Sequence, residues 1–189
     1  MKQKYADFVR WLFSGPVRMN QIASEAYSRD GYLINQGLLT GVSFGRRLAS
    51  ETGCGFIACY NFLHFMGEKT PALKVARQME RLLLWGGMIG SHPLAVWWYL
   101  HRRGYRFRAA FTRRGTERLL RRSPGRTAGI IAYRHRKGAH FAAFLREDGG
   151  ERLRFLNAVY GAEDDRQTMQ EFFDKRVAFP LCMTILWRD

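Results

Sequence analysis

Cysteine is scarce in this chain, at 3 of 189 residues. That is too few for a disulfide-stapled scaffold and fits free thiols in a reducing compartment. Long apolar runs are missing too. The longest candidate, Phe56 to Met66, is broken by Asn61 and His64. It falls short of the roughly 18 to 20 apolar residues that span a bilayer, so no transmembrane segment is expected. The first ten residues carry Lys2, Lys4, Asp7 and Arg10 where a signal peptide needs an apolar stretch, and the expected location is cytoplasmic. The sequence has no internal repeat and no low-complexity linker. It has no Cys-x-x-Cys, no His-Glu-x-x-His, no P-loop and no Gly-x-Gly-x-x-Gly between a strand and a helix. No metal and no organic cofactor is therefore expected.

Acidic residues are short in one place. Residues 101–137 hold a single one, Glu117, against 13 Lys and Arg, a net of +12 in a chain whose total is +15. Residues 1–100 carry +5 and residues 138–189 carry −2. An anionic partner at the Arg-rich stretch 101–137 is one reading: nucleic acid, an acidic protein or a membrane surface. A solvated helix and loop in an arginine-rich protein is the other. Aromatic interleaving is thin (Tyr105, Phe107, Phe111, Tyr133), so base stacking has little support.

What is present fits one globular domain over 1–189, with 47 % hydrophobic and 25 % charged residues. Residues 1–40 read as a helical N-terminal extension. Tyr5, Phe8, Val9, Leu12 and Phe13 share one helix face, Ser14-Gly15-Pro16 stops that helix, and a second runs from about Met19 to Tyr27. Gly37 to Gly53 is loop-rich. Three helices follow: one from Gly53-Cys54-Gly55 to about Met66, one opened by Thr70-Pro71, and one opened by Ser91 or His92 with Pro93 in its first turn. The period then changes. Tyr105 to Ala109 alternates as a strand, and Thr116 to Arg122 is a short basic helix. Ala128 to Tyr133, His140 to Leu145 and Leu153 to Ala158 form an antiparallel meander, turning at Lys137-Gly138 and Asp148-Gly149-Gly150. Met169 to Lys175 is a helix, Phe179 to Trp187 a strand, and Glu163-Asp164-Asp165 a solvated loop. Helices first and antiparallel sheet second is an α+β pattern.

Cys54 stands between two glycines immediately before an apolar helical run. Amide N–H groups and the macrodipole at a helix N-terminus stabilise an anion, so a lowered thiol pKa and raised nucleophilicity are expected. The flanking glycines would let substrate reach the sulfur. A buried small side chain at a turn is the plain alternative. A thiol nucleophile needs a base. His64 lies too far along the same helix, His92 fits a helix N-cap, His101 a helix end, and His135 an exposed hairpin. His140 opens an apolar strand and is the candidate base, with a structural histidine as its alternative. Antiparallel pairing after the Asp148-Gly149-Gly150 turn brings Asn157 close to His140. Its side-chain oxygen would accept from Nδ1–H and fix the tautomer, unless it merely ends a strand.

Cys54 opening a helix, His140 leading a strand and Asn157 ending the next strand resemble the papain-like cysteine peptidases. The likeness is to the bacterial branch of bacteriocin-leader (double-glycine) peptidases, over roughly residues 44–187. The resemblance implies a papain-like fold and a cysteine peptidase or related thiol acyl hydrolase. Cys54 would be the nucleophile, His140 the base and then acid, and Asn157 the orienter, acting on a peptide or small acyl substrate. Two departures stand out. The family's Gln about six residues before the Cys is Leu48 here, leaving Asn61 or Gln36 as the side-chain amides for an oxyanion hole. Asn157 stands where the leader peptidases tend to have Asp. A catalytically inactive papain-like protein or a basic binding module is the alternative function.

Overall fold

A computed structural model describes residues 21–83, 87, 90–123, 125–136, 138–147, 150–158, 165–177 and 179–187. The expected helix at Tyr5 to Phe13 with its Ser14-Gly15-Pro16 stop, Lys137, the Asp148-Gly149 turn and the Glu163-Asp164 pair lie outside them.

The Cys54 helix organises the molecule. Helix α2 (Cys54–Phe65) follows a single turn of helix, α1 (Ala49–Thr52). Apart from half-exposed His64, every α2 residue is buried, as befits a helix apolar on all sides. Helices α3 (Ala72–Glu80) and α4 (Pro93–His101) pack against it. At α4 the reading of the N-terminus is right: His92 is the N-cap, its Nδ1 accepting from the Leu94 N–H at 3.2 Å. At α3 the cap position falls one residue later than read, on Pro71 rather than Thr70.

On its other side α2 lies on an antiparallel sheet. Six strands, β3 (Arg106–Ala110), β4 (Thr127–His135), β5 (Gly138–Arg146), β6 (Leu153–Leu156), β7 (Asp165–Gln167) and β8 (Phe179–Trp187), run in the order β3-β8-β4-β5-β6-β7. Alternation divides β5 between two cores. Phe141, Ala143 and Leu145 face α2, while Ala142 and Phe144 pack on the opposite core with Phe172 and Phe173 of helix α6 (Met169–Arg176). Thr168 and Glu171 close a capping box at the start of α6. The basic helix is α5 (Arg113–Arg121), begun by the Thr112 cap three residues before the expected start. The mixed helix and antiparallel sheet is the expected α+β class.

The N-terminal reading needs correction. Within 21–40 there is no α-helix, only 3-10 turns at Ser24–Ala26 and at Gln36–Gly41, the second running one residue past that window. Ala26, Leu33 and Leu39 are fully buried against the α2 core. Their apolar spacing is used by a chain that wraps the core, not by one face of a helix. The loop-rich stretch 37–53 also holds a small hairpin, β1 (Ser43–Phe44) with β2 (Arg47–Leu48). The wrap is anchored by Arg154, a buried guanidinium on β6 that forks onto both Asp30 carboxylate oxygens at 2.5 and 3.0 Å. It also stacks on Tyr32. The Asp30 carboxyl is held well below the usual range, first by that hydrogen bond.

Candidate active site

Gly53 is the N-cap of α2 and Cys54 its first residue, with the side chain buried. The neighbouring glycines have a packing role that the reading of substrate access missed. A Cβ on Gly53 would sit 2.5 Å from the Ala49 carbonyl, and one on Gly55 would sit 2.3 Å from both Cβ and Oγ of Ser91. Ser91 Oγ is buried without a hydrogen-bond partner. Gly55→Ala is expected to destabilise by about 1 to 3 kcal/mol through overpacking. Ser91→Gly in the same chain should recover most of that loss in urea unfolding, because it removes the colliding atoms.

The thiol meets β5 where the sheet opens. Pairing of β5 with β6 runs only to Ala143 opposite Leu156, and the chain then turns away at Asn157, the described non-glycine residue with positive φ (56°). Beyond that last pair the Phe141 N–H turns to Cys54 Sγ. Cys54 is thereby set against the residue that follows His140. Its pKa is not lowered as the helix-terminus argument expects. Burial pushes the thiol up to about 11, and the main-chain hydrogen bonds from Phe141, Gly55 and Cys54 itself offset only part of that.

His140 is buried on β5, opposite Tyr133 of β4. Its Nε2 lies 2.5 Å from the main-chain oxygen of Asn157. A carbonyl only accepts, so Nε2 carries the proton and Nδ1 holds the lone pair. This reverses the expected arrangement, in which the Asn157 side chain took a proton from Nδ1. Burial drives the imidazole down to about 4; the Asn157 contact raises it and the charge of His135 lowers it further. Thiol and imidazole are both neutral around neutral pH.

The Asn157 side chain is committed elsewhere. Its Oδ1 accepts from the Gln36 N–H at 3.0 Å and its Nδ2 donates to Gln36 Oε1 at 3.2 Å. Gln36 Nε2 in turn donates to the Ser50 carbonyl at 3.2 Å. Both residues are fully buried. A polar chain thus runs from Ser50 of α1, through Gln36 and Asn157, to the His140 ring. Asn61, the other candidate amide, exchanges two 2.8 Å hydrogen bonds with the Leu33 main chain.

Two neighbours of His140 have no part in the site on sequence alone: Tyr133 reads only as a strand residue and His135 as an exposed hairpin residue. The His135 ring stands 6.1 Å from the His140 ring and the Tyr133 ring 5.8 Å, while the Tyr133 hydroxyl donates to the Ala158 carbonyl. The signal was available: Tyr133 and His135 are two apart on β4 and share a face. Gln36, read as an oxyanion-hole amide, instead pairs with Asn157, 121 residues away in sequence, a partnership that no local pattern reveals. Among the described residues no three His, Cys, Asp or Glu side chains converge on a metal-sized site.

Compared with solved structures, the chain superposes on the peptidase domain of Streptococcus ComA, a bi-functional ABC transporter of a quorum-sensing pathway. The TM-score is 0.50 at 10 % identity, over 72 % of this chain and 91 % of that one. The fold is that of the papain-like double-glycine peptidase domains. A double-glycine-motif protease from an AMS/PCAT transporter, solved with its leader peptide, matches with a TM-score of 0.49 at 18 % identity, over 72 % of this chain and 84 % of that one. No protein-family model matches the sequence, and no curated protein matches it. On the papain-like fold, Cys54 opens the central helix and His140 stands on the sheet that the helix covers.

Proposed function

We propose that this papain-like chain is a cysteine peptidase or related thiol acyl hydrolase, working through Cys54, His140 and Asn157 on a peptide. The observation that supports the reading is a helix-opening thiol held by the N–H of Phe141, the residue next to a buried imidazole whose Nε2–H is fixed by the Asn157 carbonyl. His140 Nδ1 takes the Cys54 proton as sulfur attacks the scissile carbonyl. The α2 N-terminus, with its main-chain N–H groups, faces the developing oxyanion. The imidazolium then returns the proton to the leaving amine, and water hydrolyses the thioester. Asn157 acts by position, holding the ring through its main chain. The three cysteines are all unpaired thiols, which suits work in the cytoplasm. Among the described residues no helix is long and apolar enough to cross a membrane.

One observation favours a second reading, a papain-like scaffold without chemistry: the thiol is buried and held protonated. Alkylation separates the two. A resting neutral pair predicts that iodoacetamide labels Cys54 slowly at pH 7, with a rate that climbs about tenfold per unit toward its pKa, since only thiolate reacts. A peptide ending in a chloromethyl ketone should instead label Cys54 quickly at pH 7 if the site is catalytic, because the bound carbonyl recruits His140. Equal, slow labelling by both reagents supports the scaffold.

A further inference from the structure

The far end of α2 carries a second cavity. It encloses about 490 Å³ and is formed by the C-terminus of α2, strand β3, the end of α5, the start of β4 and β8. Cys54 opens that helix and Phe65 ends it, so the cavity lies about 16 Å along the axis from the thiol, at 1.5 Å per residue. Its floor is apolar: Phe65, Leu119, Ala128, Ile185 and Trp187. Its rim holds three guanidinium groups, Arg108, Arg122 and Arg126, and among the described residues no carboxylate lines it.

Among the described residues, none of those three cations is engaged by an acid. Arg108 stacks on Trp187 with its Cζ 5.5 Å from the ring, and Arg126 stacks on Phe65 at 4.8 Å and donates to the Phe65 carbonyl at 3.3 Å. These contacts hold two guanidinium planes over the apolar wall while leaving most of their N–H donors unused. Arg113, in the same basic stretch, is by contrast paired with Asp174. Three arginines at the mouth of an apolar chamber, with no counter-charge among the described residues, match one kind of ligand.

We propose that this cavity binds an amphipathic organic anion: an aromatic or medium-chain carboxylate or sulfonate, head on the arginines and body against Phe65, Ile185 and Trp187. The volume lies within the range of small-ligand pockets, roughly 300 to 1,000 Å³. Planar guanidinium groups fork onto carboxylate and sulfonate oxygens alike. This gives part of the +12 stretch an occupant, and it stands whether or not Cys54 is catalytic.

The test uses the whole chain and the fluorescent sulfonate 1-anilinonaphthalene-8-sulfonate in low salt. Saturable binding is expected, with dodecanoate displacing the dye and dodecanol, the neutral chain of equal length, displacing it at least tenfold less well. Arg108→Gln, Arg122→Gln and Arg126→Gln should each weaken dye binding about tenfold, the order expected for one charged hydrogen bond. As these arginines are exposed, circular dichroism should report an unchanged fold. Ile185→Trp, which fills the chamber and keeps every charge, should block the dye. Displacement by dodecanol equal to that by dodecanoate overturns the proposal. So does binding that survives both the triple arginine variant and Ile185→Trp but is lost in Trp98→Ser, which alters a separate groove lined by Leu94, Trp97 and Trp98 of α4 and by Phe107. Sedimentation with phosphatidylglycerol vesicles, unaffected by Ile185→Trp, would assign the arginines to a membrane surface and overturn the cavity as the site.

Discussion

His140→Ala should leave a folded protein that cleaves peptide about a thousandfold more slowly, the middle of the range for a lost general acid–base group. In the proposed mechanism, loss of the imidazole removes the acceptor for the Cys54 proton while Cys54, Phe141 and the α2 N-terminus stay in place. Its pH signature distinguishes this from general damage. Burial holds the folded imidazole down to about 4, against about 6.5 in an unfolded chain. Between those values the unfolded chain binds the proton and the native one does not. Stability from this residue is therefore complete above about pH 6.5 and falls as pH drops toward 4. His140→Ala should flatten that part of the urea-unfolding profile. A variant that keeps both peptide cleavage and the acid slope would remove His140 from the reaction and from the buried site together.

Asn157→Asp is expected to lower activity at least tenfold, although the exchange looks mild and the leader peptidases tend to carry Asp there. The reason is Gln36. The Asn157 Nδ2 donates to Gln36 Oε1, and a carboxylate there would set oxygen against oxygen. Turning the Gln36 amide over relieves that clash but puts its oxygen against the Ser50 carbonyl, which now accepts from Nε2. Either way a buried acceptor loses its donor, at about 1 to 3 kcal/mol. Asn157 also bears φ of 56°, a conformation that Asn tolerates better than most residues. Asn157→Gly keeps that backbone and the carbonyl that holds His140, so it should retain more activity than Asn157→Val. The decisive measurement is kcat across Asp, Gly and Val. If Asp is the best of the three, the side chain and not the main chain orients the imidazole.

The sequence carried the parts of this fold that rest on local periodicity. An apolar run all round marked α2, a proline after a capping residue marked α4, and short apolar runs marked β5 to within two residues and β8 to the residue. Local pattern failed where tertiary contacts set the outcome. Ala26 and Leu33 are spaced like helix residues, yet they fill the core from a wrapped segment. The strand β7, with Asp165-Arg166-Gln167, has no apolar alternation to show, and it exists because β6 offers it an edge. At the site, residue types and chain order pointed to Cys54, His140 and Asn157. The pairing of Asn157 with Gln36 did not follow, because two buried amides find each other only once the chain has folded. The thiol pKa went the wrong way for a related reason. A helix N-terminus can be read in sequence, but the desolvation that outweighs it comes from the sheet packed over Cys54.

The strand order has a consequence for how the chain is made. Strand β8 comes last in sequence but lies between β3 and β4, pairing Ala109 with Thr184 on one side and Ile130 with Thr184 on the other. While a ribosome is still synthesising residues 179–187, β3 and β4 have no neighbour to pair with across that gap. Each presents a bare strand edge, the kind that templates pairing with other chains. The sheet therefore closes only after residues 179–187 have emerged, by a contact of long sequence separation, which is the slow kind. A chain that lacks β8, nascent or cut before Phe179, is the form most exposed to aggregation, and a chaperone holding it would protect those two edges rather than the apolar helix α2.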